Sequence, residues 1–571
     1  MHTTVIRGGT IVDGTGKPAF TGDVALDGDR IAQVGGKAGP GKREIDANGL
    51  LVTPGWVDGH THYDGQATWD PMLAPSSWHG VTTILFGNCG VGFAPVRRKD
   101  HSRLIGLMES IEEIPGIALA EGLKWNWESF PDYLDALAGM QRTIDVGAQI
   151  PHHPLRVYVM GERALNLEAA TADDIAEMHR LTLEGMQAGA FGFTTSRTNS
   201  HKTPTGGMVP SRFSEIEELM GIGRALGKVG YGAFGMNSDF DIEESELAWM
   251  TQLGKETGRP VWFLLTDRPT DDKRWKRLMD GVRAARAAGA MVTAQVPGRP
   301  VGVMLGADTA LNPFSIRPSY QRLLQLPIAE RMQRLRDPAV RAEVLADAPS
   351  EELLGRLSQF RQHIVRRWHR MFKLGNPPNY EPAESESIAA IAQREGRTPD
   401  EVAYDYIAED PANLIFFPVT GYNVADLEVT RSMLTDDATV LGLSDGGAHC
   451  SSILDAGMPT WMLIHWARDR SRGPRLPLEF VVKRQTSETA RFFGLNDRGV
   501  LEVGKKADVN VLDFQGLKVQ KPEVVYDLPA GGRRLVQQAE GYKATFVSGI
   551  PVFENGQHTG ALPGKLVRAG R

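Results

Sequence analysis

Two histidines stand two residues apart at the end of an apolar run, in Val52-Thr53-Pro54-Gly55-Trp56-Val57-Asp58-Gly59-His60-Thr61-His62. In a β-strand, side chains two apart share a face. His60 and His62 therefore project together from a strand end, where two neutral imidazoles can grip one divalent cation. The plainer alternative is two unrelated histidines in a polar turn. Cys89 lies in Gly87-Asn88-Cys89-Gly90 after a second apolar run. A lone cysteine is most often a small buried apolar residue. The flanking glycines would also let backbone and metal approach closely, and a thiolate beside a cation is a strong zinc ligand. Asp445 ends a third run, Val440-Leu441-Gly442-Leu443-Ser444-Asp445-Gly446. An Asp before Gly either makes a turn or presents a carboxylate for proton transfer. Two imidazoles, a thiolate and a carboxylate together suit Zn²⁺.

Five ordered segments resemble the amidohydrolase superfamily, most closely its N-acyl-D-amino-acid deacylase branch. They are Thr4-Val5-Ile6-Arg7-Gly8-Gly9-Thr10-Ile11-Val12-Asp13-Gly14, the run ending in His60 and His62, Gly80-Val81-Thr82-Thr83-Ile84-Leu85-Phe86-Gly87-Asn88-Cys89-Gly90, Gly442-Leu443-Ser444-Asp445-Gly446, and the closing segments 498–511 and 559–564. The resemblance spans nearly the whole chain. It implies that His60, His62, Cys89 and Asp445 ligate metal. It also implies that Asp445 takes a proton from the attacking water and delivers it to the leaving nitrogen.

The chain departs from that branch in one respect. The branch carries two further histidine ligands at the ends of its fifth and sixth barrel strands. The matching stretches here, Gly230-Tyr231-Gly232-Ala233-Phe234-Gly235-Met236-Asn237 and Pro260-Val261-Trp262-Phe263-Leu264-Leu265-Thr266-Asp267, contain none. One zinc ion is thus expected rather than two, unless His152, His153 or His201 substitutes. Those three and His449 are candidate substrate contacts. The lysine that binds the substrate carboxylate in the branch is also missing after the sixth strand, where Thr266 and Asp267 stand. An acid there would repel an anion. With Trp69, Trp78, Phe93, Tyr231, Phe234 and Trp262 near the expected pocket, the expectation is a neutral or aromatic amide.

The chain has 571 residues, 41% of them hydrophobic and 23% charged, with a net charge of −7. This is ordinary globular composition with ample apolar content for a large core. The acidic balance argues against a nucleic-acid partner. Two cysteines exclude a disulfide framework and suit a reducing compartment. No signal peptide is evident, and no apolar run approaches the ~20 residues of a membrane span. The expectation is a cytoplasmic enzyme acting on a small molecule, with no membrane partner. Many relatives self-associate, but the residues here do not fix a subunit number.

These groups need a scaffold. Residues 1–54 read as short strands at 4–6, 23–26, 31–34 and 50–52, and the tail repeats the style at 507–512, 543–548 and 551–553. Between them, apolar strands at 82–86, 190–194, 228–234, 260–265, 291–296 and 440–443 alternate with amphipathic stretches at 172–188, 243–257 and 273–288. Such alternation favours a parallel sheet covered by helices. The resemblance implies an α/β fold, a (β/α)8 barrel over 55–497 with its site at the C-terminal strand ends. It also implies a small β-sandwich domain built from 1–54 and 498–571. A helix-rich stretch at about 312–410 reads as an insertion that caps the site or builds an interface.

The first reading is a metal-dependent hydrolase of an amide-type C–N bond. An N-acyl-D-amino-acid deacylase proper, a lyase, decarboxylase or C–C hydrolase on the same site, and a non-catalytic binding relative are the alternatives. The Gly-rich segments at 205–207 and 530–532 lack the strand–helix context of a nucleotide site.

Overall fold

The computed structural model describes every residue except Thr270, Ser358, Val424, Leu443 and Arg571, and only the backbone of Gln359 and Phe360. Leu443 of the last-strand motif therefore lies outside the described residues.

Both ends of the chain enter one nine-stranded sheet. Its N-terminal members are His2–Ile11, Phe20–Asp27, Arg30–Val34, Gly41–Asp46 and Leu51–Pro54, and its C-terminal members are Val509–Leu512, Tyr542–Val547, Ile550–Glu554 and Gln557–His558. The halves meet where Leu51–Pro54 runs antiparallel to Val509–Leu512, with Val52 opposite Val511. Alternating apolar residues from both halves, including Ile6, Ile11, Val24, Leu26, Val509, Val511 and Phe546, fill one core. That period-2 burial is what sets the register.

The middle of the chain forms two parallel sheets. One holds Trp56–Asp58, Val81–Phe86 and Asp145–Ala148. The other holds, in order, Ile150–Pro151, Gly192–Arg197, Ala233–Ser238, Val261–Leu264, Val292–Val296 and Thr439–Leu441. Their strands are almost wholly buried, as sheets with both faces covered must be. Helices Ala172–Ala188, Ile216–Val229, Glu243–Thr257 and Arg274–Ala287 separate successive strands. The stretch expected as strand at 228–234 begins instead as the end of a helix. Gly230, in the left-handed region at φ 78°, caps it, and the strand starts at Ala233. Backbone hydrogen bonds join the two sheets at both sides: Phe191 N to Ala148 O on one, Asp445 N to His60 O and His62 N to Gly446 O on the other.

After Val292–Val296 the chain leaves this pattern. An antiparallel pair, Val301–Leu305 with Ile415–Thr420, brackets the helices from Pro318–Leu324 to Pro399–Glu409. These pack on a separate core around Phe314, Tyr320, Tyr404 and Ile415. The closing segment returns to the strands: Val146 N donates to Lys565 O, and Val567 N to Val146 O. No helix among the described residues is long and apolar enough to cross a membrane.

Candidate active site

His60 and His62 follow the strand Trp56–Asp58 and are both buried. Asp58 accepts the His60 backbone N–H at 3.1 Å and a hydrogen bond from the Ser444 hydroxyl, which ties the first strand end to the last. Burial raises the Asp58 carboxyl to about 7, and its hydrogen bonds only partly offset this. Cys89 leaves the end of Val81–Phe86 through a turn in which Gly87 has φ 83°. A Cβ at Gly87 would also collide with the Gln149 carbonyl, so glycine is needed on two counts. Cys89 at φ 52°, Asp445 at φ 48° and His449 at φ 47° are all left-handed without being glycine. Strain of this kind concentrates at functional sites.

The four groups converge. The donor atoms of His60, His62 and Cys89 lie within 4.8 Å of one another, and Cys89 Sγ is 3.5 Å from His60 Nε2. Asp445 Oδ1 stands 3.6 Å from Nε2 of His60 and 3.6 Å from Nε2 of His62. Burial lowers His60 to about 4, so its imidazole is neutral with a lone pair to give. Its other nitrogen, Nδ1, is 2.7 Å from Gln295 Oε1, which directs Nε2 to the common point. Burial, with the nearby Glu112 and Asp445 carboxylates and against a bond with His62, pushes the Cys89 thiol up to about 11; a cation beside it would reverse that. Burial opposes ionisation of Asp445, yet the hydrogen bond from His62, with His60 and His449 also close by, holds it at about 2. Two imidazoles and a sulfur lie close enough to share one small cation, with a carboxylate 3.6 Å from both imidazoles, and donors of these types suit zinc. The residues fit a metal.

A cavity of about 150 Å³ opens above this point, lined by His62, Cys89, Glu112, His201, Asn237, Leu264, Thr266, Arg268, Val301, Thr420, Asp445 and His449. Inward positions alternate along each strand. On the sixth strand Trp262 lies beneath, edge-on to His60 at 5.9 Å between centroids, and Leu264 and Thr266 line the space. On the fifth, Asn237 occupies the inward end. Asn237 and Thr266 thus stand at the strand ends where the sequence comparison expected histidines.

Two expectations about the pocket fail. None of the six aromatic residues lines the cavity; Trp262 and Phe234 pack in the layers below and outside it. Asp267 does not line it either. Its side chain accepts from Asn423 N at 3.1 Å and its carbonyl from Gly421 N. The next residue, Arg268, lines the cavity, with Nη1 3.1 Å from Asp239 Oδ1. The wall carries a cation, which the motif reading stopped one residue short of finding.

The remaining histidines divide. His201 lines the cavity, its Nδ1 2.9 Å from Ser196 Oγ. Burial, then the charges of His449 and His62, lower it to about 3. His449 also lines the cavity, its Nε2 3.5 Å from Glu112 Oε2. His152 is not brought there. Its Nδ1 is 2.7 Å from Thr195 Oγ1 and its Nε2 2.9 Å from Glu218 Oε1. His153 is buried outside the lining residues with neither ring nitrogen hydrogen-bonded. Sequence reasoning missed Glu112, the last residue of helix His101–Glu112. A lone acid at a helix end carries no signal in one sequence.

The family model for the amidohydrolase family matches residues 43–553. The D-aminoacylase of Alcaligenes xylosoxydans xylosoxydans is 26% identical over 99% of this chain and 97% of its own length. A solved D-aminoacylase, described by its binuclear metal centre with one-metal activation and second-metal attenuation, superposes with a TM-score of 0.64 at 23% identity over 100% of both chains. The N-acyl-D-glutamate deacylase of Bordetella bronchiseptica, solved with zinc and a phosphonate mimic of the tetrahedral intermediate, gives 0.63 at 22% identity, also over 100% of both chains. The chain belongs to the amidohydrolase family and is similar along its whole length to D-aminoacylases.

Proposed function

We propose that this protein is a metal-dependent hydrolase that cleaves the amide C–N bond of a small N-acyl amino acid. The clustering of the donor atoms of His60, His62 and Cys89, with Asp445 Oδ1 3.6 Å from Nε2 of both histidines, carries the reading. A zinc ion held by these residues would supply Lewis-acid polarisation of the carbonyl and acidify water. Asp445 takes the proton of the attacking water and passes it to the leaving nitrogen. Arg268 holds the substrate carboxylate, while His201 and His449, which also line the cavity, contact the substrate. The Arg268 guanidinium is what turns the substrate reading from a neutral amide to an anionic one. D-aminoacylases and N-acyl-D-glutamate deacylases among the relatives support the same class.

The scaffold reading belongs to the same proposal. Continuous backbone pairing around the two central sheets supports one closed (β/α)8 barrel over 55–497, and the nine-stranded sheet supports a β-domain made from 1–54 and 498–571. With Asn237 and Thr266 at the histidine positions, the site holds one ion. Elemental analysis of protein purified without chelator or metal-binding tag tests this. About one zinc per chain is the expected result. Two would mean further ligands, and none in folded protein would overturn the reading.

A further inference from the structure

His62 has a carboxylate at each ring nitrogen. Nε2 faces Asp445 at 3.6 Å, and Nδ1 faces Glu112 Oε1 at 3.4 Å. Both side chains of the second pair are 2% exposed. Neither His62 Nδ1 nor the other Glu112 oxygen, Oε2, has a hydrogen-bond partner, and Oε2 stands 3.5 Å from His449 Nε2. A buried carboxylate without full pairing is costly, so its place needs a reason.

The neighbouring residue fixes that place. Helix His101–Glu112 stops at Glu113, which is left-handed at φ 54°. Glu113 accepts from Arg361 at 2.6 Å, from Ser451 at 3.2 Å and from Ser452. Glu113 thereby ties the helix end to the loop that follows His449 and to the helical stretch beyond residue 318. With Glu113 anchored outward, Glu112 is turned inward.

We propose that Glu112 is the positioning residue of the metal site, its buried carboxylate set between His62 Nδ1 at 3.4 Å and His449 Nε2 at 3.5 Å and holding both rings by charge, so that His62 presents Nε2 towards His60, Cys89 and Asp445. The inference rests on the metal reading above. His60 has the Gln295 amide hydrogen-bonded behind its Nδ1 at 2.7 Å, and His62 has the Glu112 carboxylate facing its Nδ1 at 3.4 Å. A carboxylate behind a metal-bound imidazole fixes the tautomer and raises its basicity, and losing such a partner costs 10–100-fold in metal affinity.

The test is zinc affinity by chelator competition, with the absorption spectrum of the cobalt-substituted protein as a second readout. E112Q keeps the shape and removes the charge. It is expected to bind zinc about tenfold or more weakly, with a shifted cobalt spectrum and an unchanged unfolding midpoint. E112D, with a shorter arm, is expected to fall between it and the wild type. E112Q affinity within about twofold of wild type, with the same cobalt spectrum, overturns the proposal. Should E112Q not fold, E112D decides alone: weaker binding supports the role and wild-type affinity overturns it. Wild-type protein that binds no zinc is a different failure, since it removes the metal site itself.

Discussion

The backbone N–H of Asp445 donates to the His60 carbonyl at 3.2 Å, while the Asp445 carboxylate stands 3.6 Å from the His60 ring. One hydrogen bond between the first and last strand ends thus sets the distance between the proposed base and a proposed ligand. Asp445 holds this place only in the left-handed region, a conformation that costs about 1–3 kcal/mol. Gly446 and Ser444 secure it on either side, through His62 N and Asp58.

Replacing Asp445 by Asn keeps the shape and the backbone bond but removes the base. D445N is expected to lose about 10²–10⁴-fold in turnover while remaining folded. Steady-state kinetics beside a thermal melt checks this. Turnover near the wild-type level would take Asp445 out of proton transfer.

Cys89 makes a separable prediction. If its sulfur belongs to the donor set, cobalt-substituted protein shows a near-ultraviolet sulfur-to-cobalt charge-transfer band. C89S is expected to lose that band and to bind zinc more weakly. A band that survives in C89S would assign Cys89 to the core, the place its burial alone suggests.

The contrast between Cys89 and Glu112 explains what one sequence exposes. Strand runs and strand-end motifs are local and periodic. They led to His60, His62, Cys89 and Asp445, and to helices whose ends match to within a residue, as at 172–188 and 243–257. Glu112 reaches the site through a helix end whose position depends on Arg361, Ser451 and Ser452, contacts more than 200 residues away in the chain. His152 shows the reverse error. It follows a strand like a ligand, but it opens a helix and spends both nitrogens on Thr195 and Glu218. Arg268 is hidden in the sequence by its neighbour, the acid at 267, which faces the 421–423 loop and not the cavity.

Arg268 also offers the sharpest test of substrate class. A hydrogen bond to a charged group is worth about 1.5–3 kcal/mol, or about 10–100-fold. R268M is expected to raise KM by that factor for an N-acyl amino acid and to leave the matching carboxamide unaffected. Equal effects on both substrates would mean that Arg268 supports the wall through Asp239 rather than holding a carboxylate.

Away from the cavity, Glu381 predicts how stability depends on acidity. It is buried, and it receives His465 Nε2 at 2.6 Å and Arg470 at 3.0 and 3.1 Å. His465 in turn stacks on Trp461 at 4.3 Å between centroids. Burial opposes ionisation of Glu381, but the bonds from His465 and Arg470 outweigh it and hold the group at about 2. An unfolded glutamate titrates near 4.3. Below that value the unfolded chain binds a proton that the folded chain does not, so the contribution is complete above about pH 4.5 and is lost as pH falls towards 2. E381Q leaves Arg470 buried with Glu428 as its carboxylate partner among the described residues and is expected to cost about 3 kcal/mol at neutral pH. Urea titrations from pH 7 to 3 should bring the two proteins together as acid removes what the substitution has already removed. A gap that stays constant across that range would assign the loss to packing and not to the carboxylate charge.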